Sequence, residues 1–324
     1  MTLCSAFLDG AVPSIQCDTV WTDTTGNEIR AQGGVILQED SRFYWYGIDF
    51  EAKASPCIRC YSSTNLVEWS LETVAIAAPN AQRVSVIQHN QEVLLLVSCG
   101  ATSDLWSANS PKGPFTAKQR LALVAPCATA YACAFSDDDG AKYVVYDGEE
   151  PNNHGELVVR CARLNPGVTA IASVVAQLPR GPYTTPSMWK RGNVYYVTAS
   201  VGTGFFSSPT YYCTADRPSG PWSSWQKMGK AIIGQALLQT TTYNSRHDAI
   251  VQINGSNGSL WLYMGDRWTQ NTHYGVGRYV WLPVTFEGKT PVLNWYRPWY
   301  PNAAEGTFTH ELKRYGLWRE SASN

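Results

Sequence analysis

One pattern recurs five times along the chain and limits its folds more than any other feature. Five short strand-like runs, Phe43-Tyr44-Trp45-Tyr46, Val93-Leu94-Leu95-Leu96, Lys142-Tyr143-Val144-Val145, Val194-Tyr195-Tyr196-Val197 and Leu260-Trp261-Leu262-Tyr263, start 50, 49, 52 and 66 residues apart. Each is preceded by a shorter apolar strand and a Gly, Asn or Asp turn. Val35-Ile36-Leu37 precedes Glu39-Asp40, Val84–Ile87 precedes Asn90, and Ala132–Phe135 precedes Asp137-Asp138-Asp139-Gly140. Pro186–Trp189 before Gly192-Asn193 and Ala249–Ile253 before Asn254-Gly255 complete the set. A third strand follows 12 to 18 residues after the start of each run, at Ile58–Ser63, Leu105–Ala108, Val158–Ala162, Tyr211–Ala215 and Arg278–Leu282. Helical periodicity is nowhere sustained. Repeats of about 50 residues built from short strands and regular turns predict an all-β, five-bladed β-propeller. A two-sheet sandwich does not explain five equal units. The expected blades are 28–70, 80–116, 128–168, 183–222 and 245–288, in one propeller domain over 1–324, with a tail from 289 to 324 packing on it.

Composition narrows the function. The 25 Lys and Arg nearly cancel the 26 Asp and Glu among 324 residues, for a net charge of −1. Nucleic-acid binding through bulk charge needs a strong basic excess, so it is excluded. With 44% hydrophobic residues and so little net charge, disorder is excluded as well. The longest apolar runs, such as Val93–Val97, are far short of a bilayer span, so no membrane partner is expected. The 13 Trp, 18 Tyr and 9 Phe suit stacked sheets and, as a weaker inference, flat faces for sugar rings. The N-terminus has neither a basic start nor a sustained apolar stretch, so no leader is visible. Nine cysteines leave at least one unpaired within the chain, with disulfides and buried thiols both open. Cys57-Ile58-Arg59-Cys60 lacks a second pair for zinc, the five His show no ligand spacing, and no metal or cofactor is expected. The acceptor sequences Asn254-Gly255-Ser256 and Asn257-Gly258-Ser259 read better as a turn.

The propeller locates a site before any chemistry is considered. The first strand of each blade lines the axis, and side chains at one end of these strands converge on a funnel. Counting back from the second strands picks out Gln32, Gln82 and Tyr131, each 11 residues ahead, Thr184 at 10 and Arg246 at 14. These five are expected to ring the funnel as ligand-binding residues, with Arg83, His247 and Trp268 beside them. His247 is placed to titrate near neutral pH, which favours an anionic sugar over a neutral one.

Several segments resemble glycoside hydrolase family 43, within it the branch of exo-β-1,3-galactanases. They are Trp21–Gly34, Phe43–Gly47, Cys60–Trp69, Asp137-Asp138-Asp139-Gly140, Tyr263–Trp268 and Tyr279–Pro283. The resemblance implies the same five-bladed propeller, a saccharide partner, an extracellular location and hydrolysis of galactan-type substrates. It also implies functional positions, and this chain departs from them. Gln32 stands where the family shows the His of Ala-His-Gly-Gly, and Gln82 in Gln82-Arg83-Val84 stands for the Glu of Glu-Arg-Pro. Tyr131 matches an Asp, Thr184 in Thr184-Thr185-Pro186 matches the proton-donating Glu of Glu-Ala-Pro, and Arg246 after Ser245 matches a Gln.

Glycoside hydrolysis needs a protonated carboxylic acid at the leaving oxygen and usually a second carboxylate. A threonine hydroxyl cannot serve as a tuned acid, whose help is worth about 10²–10⁴-fold. The sequence therefore predicts a glycan-binding homologue that has lost the inherited hydrolysis. The alternative is an active glycosidase, exo-acting on galactan or an acidic sugar, with relocated carboxylates. The candidates are Asp49, Glu149 and Glu150 after second strands, and Asp248 beyond Arg246. Glu149-Glu150 also reads as a solvated turn, Asp248 as the ion-pair partner of Arg246 or Arg267, and Asp266 as a turn residue. No Gly-x-Ser-x-Gly is present, and Gly202-Thr203-Gly204 leads into no helix, so acyl-transfer and dinucleotide chemistries are unsupported.

Overall fold

A strand that neighbours cover on both faces is apolar at nearly every position rather than at alternate ones. Arg42–Asp49 has seven of its eight residues buried, and Val194–Val201 is buried in all but its last residue. These are second strands of a five-bladed propeller, shown by a computed structural model that describes residues 12–17, 19–52, 56–126, 130–149, 157–202, 204, 206–228, 241–267 and 278–310. Blade one contains β1 (Gln32–Glu39), β2 (Arg42–Asp49), β3 (Cys57–Ser63) and β4 (Ser70–Ala77). Blade two contains β5 (Arg83–His89), β6 (Glu92–Cys99), β7 (Thr102–Ala108) and β8 (Thr116–Leu121). Blade three contains β9 (Ala132–Ser136), β10 (Lys142–Glu149), β11 (Leu157–Leu164) and β12 (Ile171–Gln177). Blade four contains β13 (Tyr183–Arg191), β14 (Val194–Val201), β15 (Thr210–Ala215) and β16 (Gln226–Lys227), and blade five β17 (Arg246–Gly255), β18 (Gly258–Asp266), β19 (Tyr279–Glu287) and β20 (Thr290–Leu293). Each sheet runs in chain order from axis to rim, with antiparallel neighbours. The five first strands pack on one another in a closed ring, β17 returning to β1.

The turns that punctuate the sequence are the tight hairpins between first and second strands. Asp40-Ser41, Asn90-Gln91 and Gly192-Asn193 are two-residue loops with a positive φ at the first position, which matches the twist of the flanking strands. Both Asn-Gly-Ser sequences fall in the β17–β18 hairpin.

The fourth strands lie at or beyond the C-terminal limits expected for the blades. Thr116–Leu121 is exposed at five of six positions, and Gln226–Lys227 is two residues long. Such rim strands blunt an open sheet edge with polar side chains and carry no apolar signal to read. Thr290–Leu293 likewise belongs to blade five and not to the tail. The tail forms its own hairpin, β21 (Trp299–Asn302) with β22 (Thr307–His310), and Trp299 bridges Ile15. Gly255 and Gly306 allow it to dock, because a Cβ on Gly255 would stand 2.0 Å from the Gly306 nitrogen.

Every blade is a contiguous stretch of chain, so side chains rather than a shared sheet close the ring between blades five and one. The Tyr279 hydroxyl accepts from the Ala31 N–H and donates to the Ile29 carbonyl, both at 2.9 Å. Trp45 meets Trp281 and Tyr279 edge-on at 4.5 and 4.7 Å, with Trp21 and Trp69 beside them. At the hairpin end, the Gln38 amide donates to the Asn254 carbonyl (2.8 Å) and accepts from its N–H (2.7 Å). Trp45, Trp69 and Trp281 are fully buried between blades one and five, and Trp299 ties the tail to blade five through the Trp281 carbonyl at 2.9 Å. Cys57, Cys60, Cys99, Cys133, Cys161 and Cys213 are free thiols.

Candidate functional site

All five axial residues open a first strand or stand within one residue of its start: Gln32 begins β1, Gln82 precedes β5, Tyr131 precedes β9, Thr184 is second in β13, and Arg246 begins β17. In blade two it is Arg83 that begins β5, with Gln82 just before it. Three first strands bulge immediately afterwards, between Gln32 and Val35, Thr184 and Ser187, and His247 and Ala249. A bulge turns the strand sharply and re-aims its leading side chains, a device common beside active sites. Gly33 (φ 58°) and Thr185 (φ 52°) take the left-handed conformation there. At Gly33 a Cβ would come within 3.0 Å of the Gln82 carbonyl oxygen, so glycine lets blades one and two meet at the axis.

The structure brings these residues together as a closely packed floor. Gln32 (2% exposed), Arg83 (2%), Thr184 (5%) and Arg246 (4%) are all buried. The Arg83 guanidinium crosses the axis, donating Nη1 to the Pro186 carbonyl at 2.9 Å and Nη2 to the Asp248 carbonyl, and so ties blade two to blades four and five. Arg246 donates to the Gly204 carbonyl, and its guanidinium lies 5.1 Å over the Tyr131 ring. The buried Gln32 Oε1 and Gln82 Oε1 accept no hydrogen bond.

A second layer of carboxylates stands behind this floor, on the second strands. Asp147, next after the Tyr146 that pairs with Ala132, accepts the Tyr131 N–H at 2.5 Å and the Thr184 hydroxyl. Burial pushes its carboxyl up to about 6, against these hydrogen bonds and the Arg83 charge. Asp266 pairs with Arg246 in the β17–β18 ladder and accepts the Gly33 N–H at 2.7 Å. Burial and the neighbouring Asp248 carboxyl raise it well above the usual range, and the two hydrogen-bond to each other. Two buried carboxyls in contact cannot both ionise, so the pair holds one proton at neutral pH.

Several expectations change. Asp266 is no turn residue: it is a buried partner of Asp248 at the floor. The Asp248 carboxyl turns to Asp266, where an ion pair with Arg246 or Arg267 was expected. His247 is fully buried between the Thr198 hydroxyl (3.0 Å) and the Thr185 carbonyl (3.3 Å). Burial, then the Arg83 charge, pushes its imidazole down to about 3, so it is neutral near pH 7 and gives no reason to favour an anionic sugar. Asp49 is held by Arg59 at 2.6 Å, with Arg30 at 3.8 Å and the Glu51 N–H at 3.0 Å. Glu149 is exposed on β10. Glu150 and Trp268 lie outside the described residues. Asp147 went unread, although the hairpin register offered a signal: it stands across from Tyr131 as Asp266 stands across from Arg246.

An opening of 380 Å³ lies at the opposite end of the channel, lined by Gln38, Gln88, Lys142 and Gln252 among others. Among the described residues its walls carry no carboxyl group, and the buried carboxyls stand at the Thr184 end. There, among the described residues, Asp147, Asp248 and Asp266 are buried and already hydrogen-bonded, so none of them presents a free carboxyl to a substrate.

Residues 30–291 match the family model of Glycosyl hydrolases family 43. An exo-β-1,3-galactanase of Clostridium thermocellum is similar in structure, with a TM-score of 0.80 at 25% identity over 94% of this chain and 70% of that one. An exo-β-1,3-galactanase of Phanerochaete chrysosporium, crystallised with galactose, gives 0.79 at 27% identity over 92% of this chain and 71% of that one. A β-D-galactofuranosidase of Aspergillus niger is 28% identical over 215 residues, 60% of each chain, so the match spans three fifths of that relative's length.

Proposed function

The chain belongs to glycosyl hydrolase family 43, and from that premise we propose that it binds a saccharide at the Thr184 end of its axis without the inherited acid-catalysed hydrolysis of β-galactan-type substrates. The observation that carries this reading is the pair of buried amide oxygens, Gln32 Oε1 and Gln82 Oε1, that accept no hydrogen bond. A buried acceptor without a donor is costly, and saccharide hydroxyls are donors of the right kind. The position that the family resemblance gives to an acid holds Thr184, whose hydroxyl is turned to Asp147. Galactose and β-1,3-galactotriose, seen in crystals of the Phanerochaete relative, are the first ligands to try. An extracellular site of action suits a polysaccharide partner.

One observation favours the second reading, an active glycosidase with a relocated acid. Asp147 is directly behind Thr184, and its carboxyl is raised to about 6, close to the range of a working general acid. A glycan array run beside a reducing-sugar assay on β-1,3-galactan separates the two. Binding without release is the expected result. Release that falls about 10²-fold or more in Asp147→Asn would establish the relocated acid instead. Neither binding nor release with any glycan would sink both.

A further inference from the structure

We propose that Asn257 is an acceptor for N-linked glycosylation and that Asn254, in a neighbouring sequence of the same kind, is not. Asn-Gly-Ser occurs twice in the β17–β18 hairpin, at Asn254–Ser256 and Asn257–Ser259. Such a sequence takes a glycan in the secretory route of a eukaryotic cell. The reaction joins the asparagine Nδ2 to C1 of the first N-acetylglucosamine of a lipid-diphosphate-linked oligosaccharide. The bond from C1 to the diphosphate oxygen breaks, the lipid diphosphate leaves with the electron pair, and the amide gives up one proton. Transfer meets the chain before it folds, so the fold decides which of the two asparagines can carry the product.

β17 ends at Gly255 and β18 begins at Gly258, so Ser256-Asn257 is the tip of the hairpin, and the turn itself presents the acceptor. The main chain of the tip is held along the tail: the Ser256 N–H donates to the Ala304 carbonyl at 2.9 Å and the Asn257 N–H to the Glu305 carbonyl at 3.1 Å. The Asn257 side chain is exposed and has no hydrogen-bond partner among the described residues. Space is open beside it, since a Cβ on Gly258 would meet nothing within 4 Å. Asn254 is taken up by the fold. Its N–H donates to Gln38 Oε1 and its carbonyl accepts Gln38 Nε2, across the junction of blades five and one. Its Oδ1 accepts from Gln252 Nε2 at 2.8 Å and from the Ser259 hydroxyl at 3.1 Å, and the residue lines the 380 Å³ opening. A bulky glycan on Asn254 would therefore begin at a blade junction, whereas one on Asn257 begins in solvent. Because β17 runs from Arg246 to Gly255, the glycan stands at the far end of the channel and leaves the axial floor open.

Secretion of the full chain from yeast behind a cleavable leader tests the assignment. Intact mass and peptide mapping follow treatment with endoglycosidase H, which leaves one N-acetylglucosamine on each occupied asparagine. The expected result is a single mark, on Asn257. It should persist in Asn254→Gln and vanish in Asn257→Gln. Ser259→Thr should retain it, because a threonine hydroxyl also completes the acceptor sequence. Ser259→Ala, which leaves Asn257 in place, should lose the mark as fully as Asn257→Gln does. A secreted protein without any mark, or a mark on Asn254 in the unaltered chain, would overturn the proposal. Mapping of the unaltered chain decides between the two asparagines even where a variant fails to fold. None of these readouts uses a ligand, so they are independent of the saccharide reading above.

Discussion

Asp147 shows how one residue acquires chemistry from its position. In an unfolded chain its carboxyl ionises near 3.8; in the fold, burial raises this to about 6. Between those values the unfolded chain has released its proton and the folded chain still holds it, so acid favours folding. The contribution is complete below pH 3.8 and is lost as pH rises through 6, with a size of about 3 kcal/mol. Asp147→Asn keeps an acceptor for the Tyr131 N–H and a donor for Thr184 but cannot ionise. Its stability relative to the unaltered protein should therefore improve from pH 4 to pH 7. Urea midpoints at pH 4, 5, 6 and 7 check this, and parallel curves for the two proteins would refute the buried-acid assignment.

At the scale of elements, the start of each first strand does more than line a channel. Arg83, at the head of β5, reaches main-chain carbonyls that lie within the bulges of β13 and β17. Its removal leaves two buried carbonyls without donors and lifts a positive charge away from Asp147, Asp248 and His247. Arg83→Ala should cost on the order of 4 kcal/mol, seen as a lower urea midpoint with an unchanged slope. Arg83→Lys should recover only part of this, because an ammonium lacks the planar fork that serves two carbonyls at once. Equal stability of the Lys variant and the original would show that charge alone matters. The elements also mark how far sequence reading reaches. Counting back across the hairpins found the heads of β1, β5, β9, β13 and β17 to within a residue, because tight turns fix the register. Two of the fourth strands stayed hidden because an exposed rim strand such as Thr116–Leu121, or the two-residue Gln226–Lys227, has the composition of a loop.

For the whole molecule, closure of the ring rests on contacts between residues more than 200 positions apart. The Gln38–Asn254 amide pair is the most exposed of these, and Gln38→Ala should remove about 1 kcal/mol and lower the melting midpoint by about 2 °C. An unchanged midpoint would assign closure to Tyr279 and the aromatic cluster around Trp45. The chain itself determined that there would be five units, where they would turn and which residues would stand at the axis. Those properties follow from the two-residue period of strands and from short-range turn chemistry. Only the tertiary structure decided that His247 is neutral, that Asp248 and Asp266 hold one proton between them, that Asp147 lies behind Thr184, and that Trp45 and Trp281 are mortar between blades one and five. Each of these depends on burial and on partners brought from other blades, and a pKa or an orphaned amide oxygen exists only once water has been excluded and the neighbours are in place.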